Sequence, residues 1–245
     1  MTPSPLVFAA MNERVSVITG GTGGLGKAVT RAFLARGDSV VVTFVVPTEA
    51  EDLERSLQSD ADRLTLLQAD VTDDAGIRST IAAAYERHGR IDSLVALVGG
   101  FAAGQPIWDT DDMRWERMLE LNLRSSFMAV RAVAPRMIEA GYGRIVLASS
   151  RAARVVSENQ AAYTVAKAAI IALVEASALE LRAHGVTINC ILPSIIDTPA
   201  NRAAMPSIDP TKWVKPDEIA SVVSFLASDA AGAVSGAAIP VYGRA

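Results

Sequence analysis

One cysteine and two histidines in 245 residues leave this chain little with which to hold a transition metal. The lone Cys190 lies in the apolar run 186–192, so neither a disulfide framework nor a cysteine-based metal site is available. His88 and His184 each stand directly before a glycine at the end of a predicted helix. A partial positive charge there suits the helix dipole, and no converging ligands accompany either imidazole. Basic residues are also scarce, with 23 Lys and Arg against 27 Asp and Glu. The net charge of −4 and the lack of a basic block remove electrostatic support for nucleic-acid binding. Long apolar runs are missing too: the longest uncharged stretch, 93–108, is interrupted by Gly99, Gly100, Gly104 and Pro106, so no membrane span is expected. Residues 1–12 lack the basic start of a secretory signal and carry Pro3 and Pro5. They read as a loose tail, and the chain as cytoplasmic.

What the sequence does contain is a regular alternation of strand and helix signals. Strands are predicted at 14–19, 39–44, 64–68, 93–98, 143–148, 186–192 and 238–242. Helices are predicted at 24–36, 48–58, 74–88, 112–140, 161–184 and 216–228. Such alternation predicts an α/β fold of Rossmann type, a doubly wound parallel sheet of about seven strands with helices on both faces. No repeat or linker divides it, so residues 1–245 read as one domain. Gly37, Gly89, Gly141 and Gly185 each follow a predicted helix, where a left-handed residue closes the last turn. The carboxylates of Glu49, Glu51, Asp52, Glu54, Asp109, Asp111 and Asp112 fall near helix starts and read as partners of the dipole.

Two motifs carry chemistry. The first strand runs directly into Gly20-Gly21-Thr22-Gly23-Gly24-Leu25-Gly26 and then into a helix with apolar Val29, Ala32 and Phe33. Glycines in a strand–turn–helix setting let the backbone approach a pyrophosphate at the helix N-terminus. The second motif is Tyr163-x-x-x-Lys167, with Ser150 thirteen residues upstream of the tyrosine. Residues four apart share a helix face. A cation beside a phenol favours the phenolate, bringing a group that ionises near pH 10 toward acid–base use. With four Tyr and four Lys in the chain, the tyrosine–lysine spacing arises by accident in roughly one such sequence in fifteen, so the surroundings decide its meaning.

Those surroundings resemble the short-chain dehydrogenase/reductase family from about residue 14 to residue 243. The matching residues are Thr19-Gly20-x-x-x-Gly24-x-Gly26, Asp70-Val71, Asn122, Ser150, Tyr163-x-x-x-Lys167, Asn189, and Pro193 followed by Asp197-Thr198. The resemblance implies an NAD(P)(H)-dependent reductase of a ketone-type carbonyl, an oxoacyl thioester being one such substrate. Its implied catalytic residues are Asn122, Ser150, Tyr163 and Lys167. Tyr163 donates the proton, Ser150 bonds the same oxygen, Lys167 holds the nicotinamide ribose and depresses the phenol pKa, and Asn122 holds a proton-carrying water. The implied cofactor contacts are Gly20, Thr22, Gly24, Leu25, Gly26, Phe44, Asp70, Val71, Gly99, Tyr163, Lys167, Pro193, Ile196 and Thr198. A homotetramer is implied as well.

The chain departs from the family pattern at Ala96-Leu97-Val98-Gly99, where two amides are usual, at Pro193-Ser194 and at Val241-Tyr242-Gly243. The family's dinucleotide-selecting positions hold Phe44, Val45 and Gly23, so neither an acid nor a base is present there. Without a carboxylate to repel a 2′-phosphate, the sequence leans to NADP(H) over NAD(H), with weak discrimination. The stretch 194–216 reads as a lid in which Met205 and Trp213 could wall an apolar pocket. Its run 192–206, with 98–102, resembles the dihydropteridine reductases, which makes a quinonoid pterin the alternative substrate. A dinucleotide-binding sensor without turnover is the alternative outside catalysis.

Overall fold

The structure, a computed structural model, describes residues 14–244, and the tail expected over 1–12 lies outside them. Seven strands form one sheet: β1 (Val15–Thr19), β2 (Ser39–Phe44), β3 (Leu64–Gln68), β4 (Ser93–Ala96), β5 (Gly143–Ala148), β6 (Val186–Pro193) and β7 (Ala238–Val241). Their order is β3-β2-β1-β4-β5-β6-β7 and every pairing is parallel. The winding reverses between β1 and β4, which opens a crevice at the carboxyl ends of those strands.

Successive strand residues face opposite sides of the sheet, and both sides are covered. Val17, Val41, Leu94, Ile145 and Ile188 pack into one core with α3 (Asp74–His88), α5 (Ser125–Ala140) and α6 (Ala161–Leu181). Ile18, Val40, Val42, Val95, Val146 and Ile191 pack into the other with α1 (Gly24–Ala35), α2 (Pro47–Ser56) and, after α4 (Asp112–Met118) and α7 (Pro199–Ala204), α8 (Pro216–Leu226). This is why the central strands place apolar residues at successive positions, as in Val17-Ile18, Leu94-Val95 and Ile145-Val146-Leu147. Each large side chain fully withdrawn from water, such as Phe33, Ile145 or Ile170, contributes about 1.5–3 kcal/mol.

Most predicted boundaries fall within two residues of the observed ones. The 112–140 helix does not form as a single regular element: α4 and α5 are joined by a π-helical segment, Leu119–Arg124. The predicted strand 93–98 leaves the sheet after Ala96, although Leu97 N–H still bonds the Thr19 carbonyl at 3.1 Å. The four helix-closing glycines all have positive φ, 97° at Gly37, 72° at Gly89, 64° at Gly141 and 72° at Gly185. With its 3₁₀ extension, α6 is the one helix among the described residues long and apolar enough to cross a membrane, against the expectation that no segment would be. Its buried residues Ile170, Val174, Ala178 and Leu181 instead belong to the sheet-covering core.

Candidate active site

The glycine turn between β1 and α1 is built around backbone contacts that no side chain can enter. Gly20 has a φ of 71°, and a Cβ on Gly26 would lie 2.1 Å from the Gly20 carbonyl oxygen. Gly26 therefore lets α1 start directly against the turn. A Cβ on Gly24 would lie 2.8 Å from Thr198 Cγ2, so the segment after β6 rests on the turn itself. Gly23 caps α1 without any side-chain hydrogen bond, which leaves the helix's first amides for a ligand. Thr22, Gly24, Leu25, Glu49, Thr198 and Pro199 line a cavity of about 500 Å³ here. A cradle closed to Cβ atoms beneath uncapped amides fits the pyrophosphate of a dinucleotide.

The expected contacts on the adenosine side occupy the ends of β2 and β3. Phe44 ends β2, half-buried, and Val71 is buried. Asp70 accepts from Thr72 N–H at 2.9 Å and from its hydroxyl at 2.7 Å. The Thr72 hydroxyl and then its amide hold this carboxyl below its usual range, so Asp70 shapes the turn before α3. Across the crevice, Pro193 ends β6 beside Val241, and Ile196 bridges to Val214. Thr198 caps α7 by accepting from Asn201 N–H at 3.2 Å. Trp213 is only 5% exposed, so it is not the open pocket wall expected of it.

The second cluster lies where β5 meets α6. Ser149 and Ser150 both follow the strand, and the fold separates their tasks. Ser149 is buried and donates to the Lys167 carbonyl at 2.7 Å. Ser150 accepts from Ala152 N–H at 3.2 Å, and its hydroxyl stands near enough to the Tyr163 phenol to draw that phenol's pKa down. One turn along α6, the Lys167 ammonium is buried and donates to the Ala148 carbonyl at 2.8 Å. A Cβ on Gly99 would lie 2.7 Å from Asn122 Oδ1 and 3.1 Å from Lys167 Nζ, so those two side chains and the Gly99 backbone meet at one point.

Asn122 is fully buried in the π-helical segment, which excludes a helix-surface role. Its amide clasps Gly100, accepting from the N–H and donating to the carbonyl, both at 3.1 Å, and donates to the Met118 carbonyl at 3.0 Å. Its own backbone carbonyl accepts from the Ser126 hydroxyl at 2.8 Å. The side chain thus fixes the connection leaving β4.

The electrostatics revise one expectation. Burial pushes the Tyr163 phenol above its ordinary value, with the Ser150 hydroxyl pulling it partly back. The Lys167 ammonium donates to the Ala148 carbonyl and stands 5.9 Å from the Tyr163 ring centroid, and the burial of the phenol outweighs it. Burial lowers Lys167 itself from 10.5 to about 8. Between those values the unfolded chain binds more protons at this site than the folded one, so stability from this group rises with pH. Relative to Lys167→Met, the wild type is expected to gain up to about 3 kcal/mol between pH 8 and 10.5. The buried Cys190 thiol, raised from 9.0 to about 12, acts in the opposite direction in both proteins. Loss of the Lys167 charge raises it further, so below pH 10.5 it stays protonated in both folds and adds little to the difference. Urea melts of the two proteins at both ends of the window check this, and a constant difference would contradict it.

Sequence reasoning gave too little weight to the connection 97–111. Phe101 stands edge-to-face with Tyr163, centroids 4.9 Å apart, and is 66% exposed. Ile107 and Trp108 on the same connection and Met113 in α4 are also exposed apolar side chains. The density of large apolar residues in a glycine-interrupted, uncharged stretch was the available signal.

Comparison with known proteins bears on the whole chain. The family model described as short chain dehydrogenase matches residues 14–208. Cis-4-hydroxycyclohexanecarboxylate dehydrogenase of Sinomonas cyclohexanicum is 33% identical over 242 residues, covering 96% of this chain and 97% of that protein. D-threitol dehydrogenase of Mycolicibacterium smegmatis is 31% identical, covering 95% and 93% respectively. The crystal structure of levodione reductase superposes with a TM-score of 0.85 at 29% identity, covering 94% of this chain and 96% of that one.

Proposed function

This chain belongs to the short-chain dehydrogenase family of NAD(P)-dependent oxidoreductases, and from that premise we propose that it interconverts a ketone-type carbonyl and its alcohol by hydride transfer, with Tyr163 as general acid and base. The observation that carries the reading is the convergence of three groups: Ser150 just past β5 acting on the Tyr163 phenol, and the buried Lys167 ammonium one helical turn away. A bound nicotinamide supplies or accepts the hydride. The protein's part is to manage the oxygen. A raised phenol pKa keeps Tyr163 protonated at neutral pH, as reduction requires. Ser150 and Tyr163 present two hydroxyls to one substrate oxygen, and the Ser150 hydrogen bond stabilises negative charge as it develops there. Lys167 and the Asn122 clasp fix the floor beneath them.

Relatives named for a hydroxycyclohexanecarboxylate and for threitol support an alcohol or ketone substrate. The Ser150 hydroxyl beside the phenol favours a carbonyl over a quinonoid pterin, and the assembled trio favours turnover over sensing. A spectrophotometric screen of NADH and NADPH against ketones, oxoacyl thioesters and quinonoid dihydropterin tests this. Oxidation of the cofactor is expected with a carbonyl compound. Activity with the pterin alone would overturn the substrate class, and binding without turnover of any compound would favour the sensor.

The homotetramer belongs to the same proposal. Leu119 and Leu123 of the π-helical segment, Phe127 of α5 and Leu173 of α6 line an open hollow rimmed by Glu116, Glu120 and Arg124, and Leu179 is 64% exposed along α6. Light scattering is expected to give a multiple of the 25.8 kDa chain mass. A monomer at micromolar concentration would contradict it.

A further inference from the structure

We propose that Glu49 reads the adenosine ribose and makes this protein select NAD(H) over NADP(H). The proposal rests on the dinucleotide reading above and reverses the lean drawn from Phe44, Val45 and Gly23. Those positions lack a carboxylate in sequence, but the fold delivers one from the next helix. Pro47 starts α2 directly after β2, so Glu49 falls in its first turn, at the carboxyl edge of the sheet. From there Glu49 Oε2 accepts from Thr22 Oγ1 at 3.0 Å. Thr22 is buried inside the glycine turn, which commits its hydroxyl proton to this carboxylate.

The placement matters because of what lies beside it. Glu49 shares one cavity with Gly24 and Leu25, the first residues of α1, where a helix N-terminus favours a pyrophosphate. The adenosine half of a dinucleotide lies over the half-sheet that carries the glycine turn, here β1, β2 and β3. An acid about twenty residues past the turn bonds the ribose 2′-hydroxyl in such folds. Glu49 stands 23 residues past Gly26 (49 − 26). Its second oxygen can accept from a ribose hydroxyl, whereas a 2′-phosphate would set two anions side by side.

Other charges face the same cavity. Arg31 is paired with Asp217 at 3.7 Å, which leaves Lys27, also on α1, as the rival determinant. Lys27 would reward a 2′-phosphate, so the two residues predict opposite preferences.

Dissociation constants for NADH and NADPH, measured by nucleotide fluorescence, separate them. The wild type is expected to bind NADH at least about tenfold more tightly than NADPH. Glu49→Gln retains an acceptor for Thr22 but removes the charge, and is expected to narrow that ratio about tenfold, mainly by tightening NADPH. Glu49→Lys is expected to reverse it, while Lys27→Gln leaves the ratio within about threefold. Glu49 is exposed, and circular dichroism on each variant verifies the fold. A wild type that prefers NADPH, or a Glu49→Gln ratio equal to wild type, overturns the proposal while the dinucleotide reading stands. Failure to bind either nucleotide overturns both.

Discussion

Tyr163→Phe is expected to lower turnover by roughly 10²–10⁴-fold, the usual worth of a positioned acid or base, while dinucleotide affinity stays close to wild type. The substitution removes one oxygen and keeps the ring. The edge-to-face contact with Phe101 and the packing of α6 survive it, so the loss reads as chemistry and not as misfolding. Because burial raises the phenol pKa, the pH profile carries information too. Alcohol oxidation needs the deprotonated phenol and should rise with pH, and carbonyl reduction should not. Initial rates in both directions with a saturating nucleotide measure this. Full activity in Tyr163→Phe would remove the proposed acid–base role.

Ser150→Ala is expected to cost about 2.7–4 kcal/mol in turnover, a hundredfold or more, as for other single donors lost from a developing oxyanion. The neighbouring serine supplies the control. Ser149 donates to the Lys167 carbonyl in the buried seam between β5 and α6, so Ser149→Ala should act mainly on stability. One lost hydrogen bond there is worth about 0.5–1.5 kcal/mol. Steady-state rates and urea melts on both variants separate the roles. Equal rate losses would show that the fold does not divide the pair as described, and a fully active Ser150→Ala that works best on a quinonoid dihydropterin would return the substrate to the pterin reading.

Local signals made most of this architecture legible. Strand β1, the glycine turn and α1 follow from a β-branched run, glycines and helical periodicity within 22 consecutive residues, 14–35. The serine, tyrosine and lysine stand at fixed spacings along one strand end and one helix, and they converge. What the sequence did not disclose depends on contacts between distant segments. The π-helical segment at Asn122 exists alongside an amide that bonds Gly100 and Met118 together, and no periodicity reports that. Trp213 looked like a pocket wall because nothing in its neighbours shows that it is buried. Glu49 looked like one more helix-starting acid until the fold set it against Thr22. The raised phenol pKa has the same origin, since motif spacing shows a cation near the tyrosine but not how deeply the fold buries the ring.

The central claim is that hydride passes to a carbonyl carbon while Tyr163 supplies the proton to its oxygen. Reduced nicotinamide deuterated at its reactive ring carbon, turned over with the best carbonyl substrate and analysed by mass spectrometry and NMR, tests this most directly. The account predicts one deuterium on the carbinol carbon of the product, formed by wild type and reduced at least about a hundredfold in rate in Tyr163→Phe. Cofactor oxidation that leaves no deuterium on that carbon, or an equal rate of labelling by Tyr163→Phe, would contradict it.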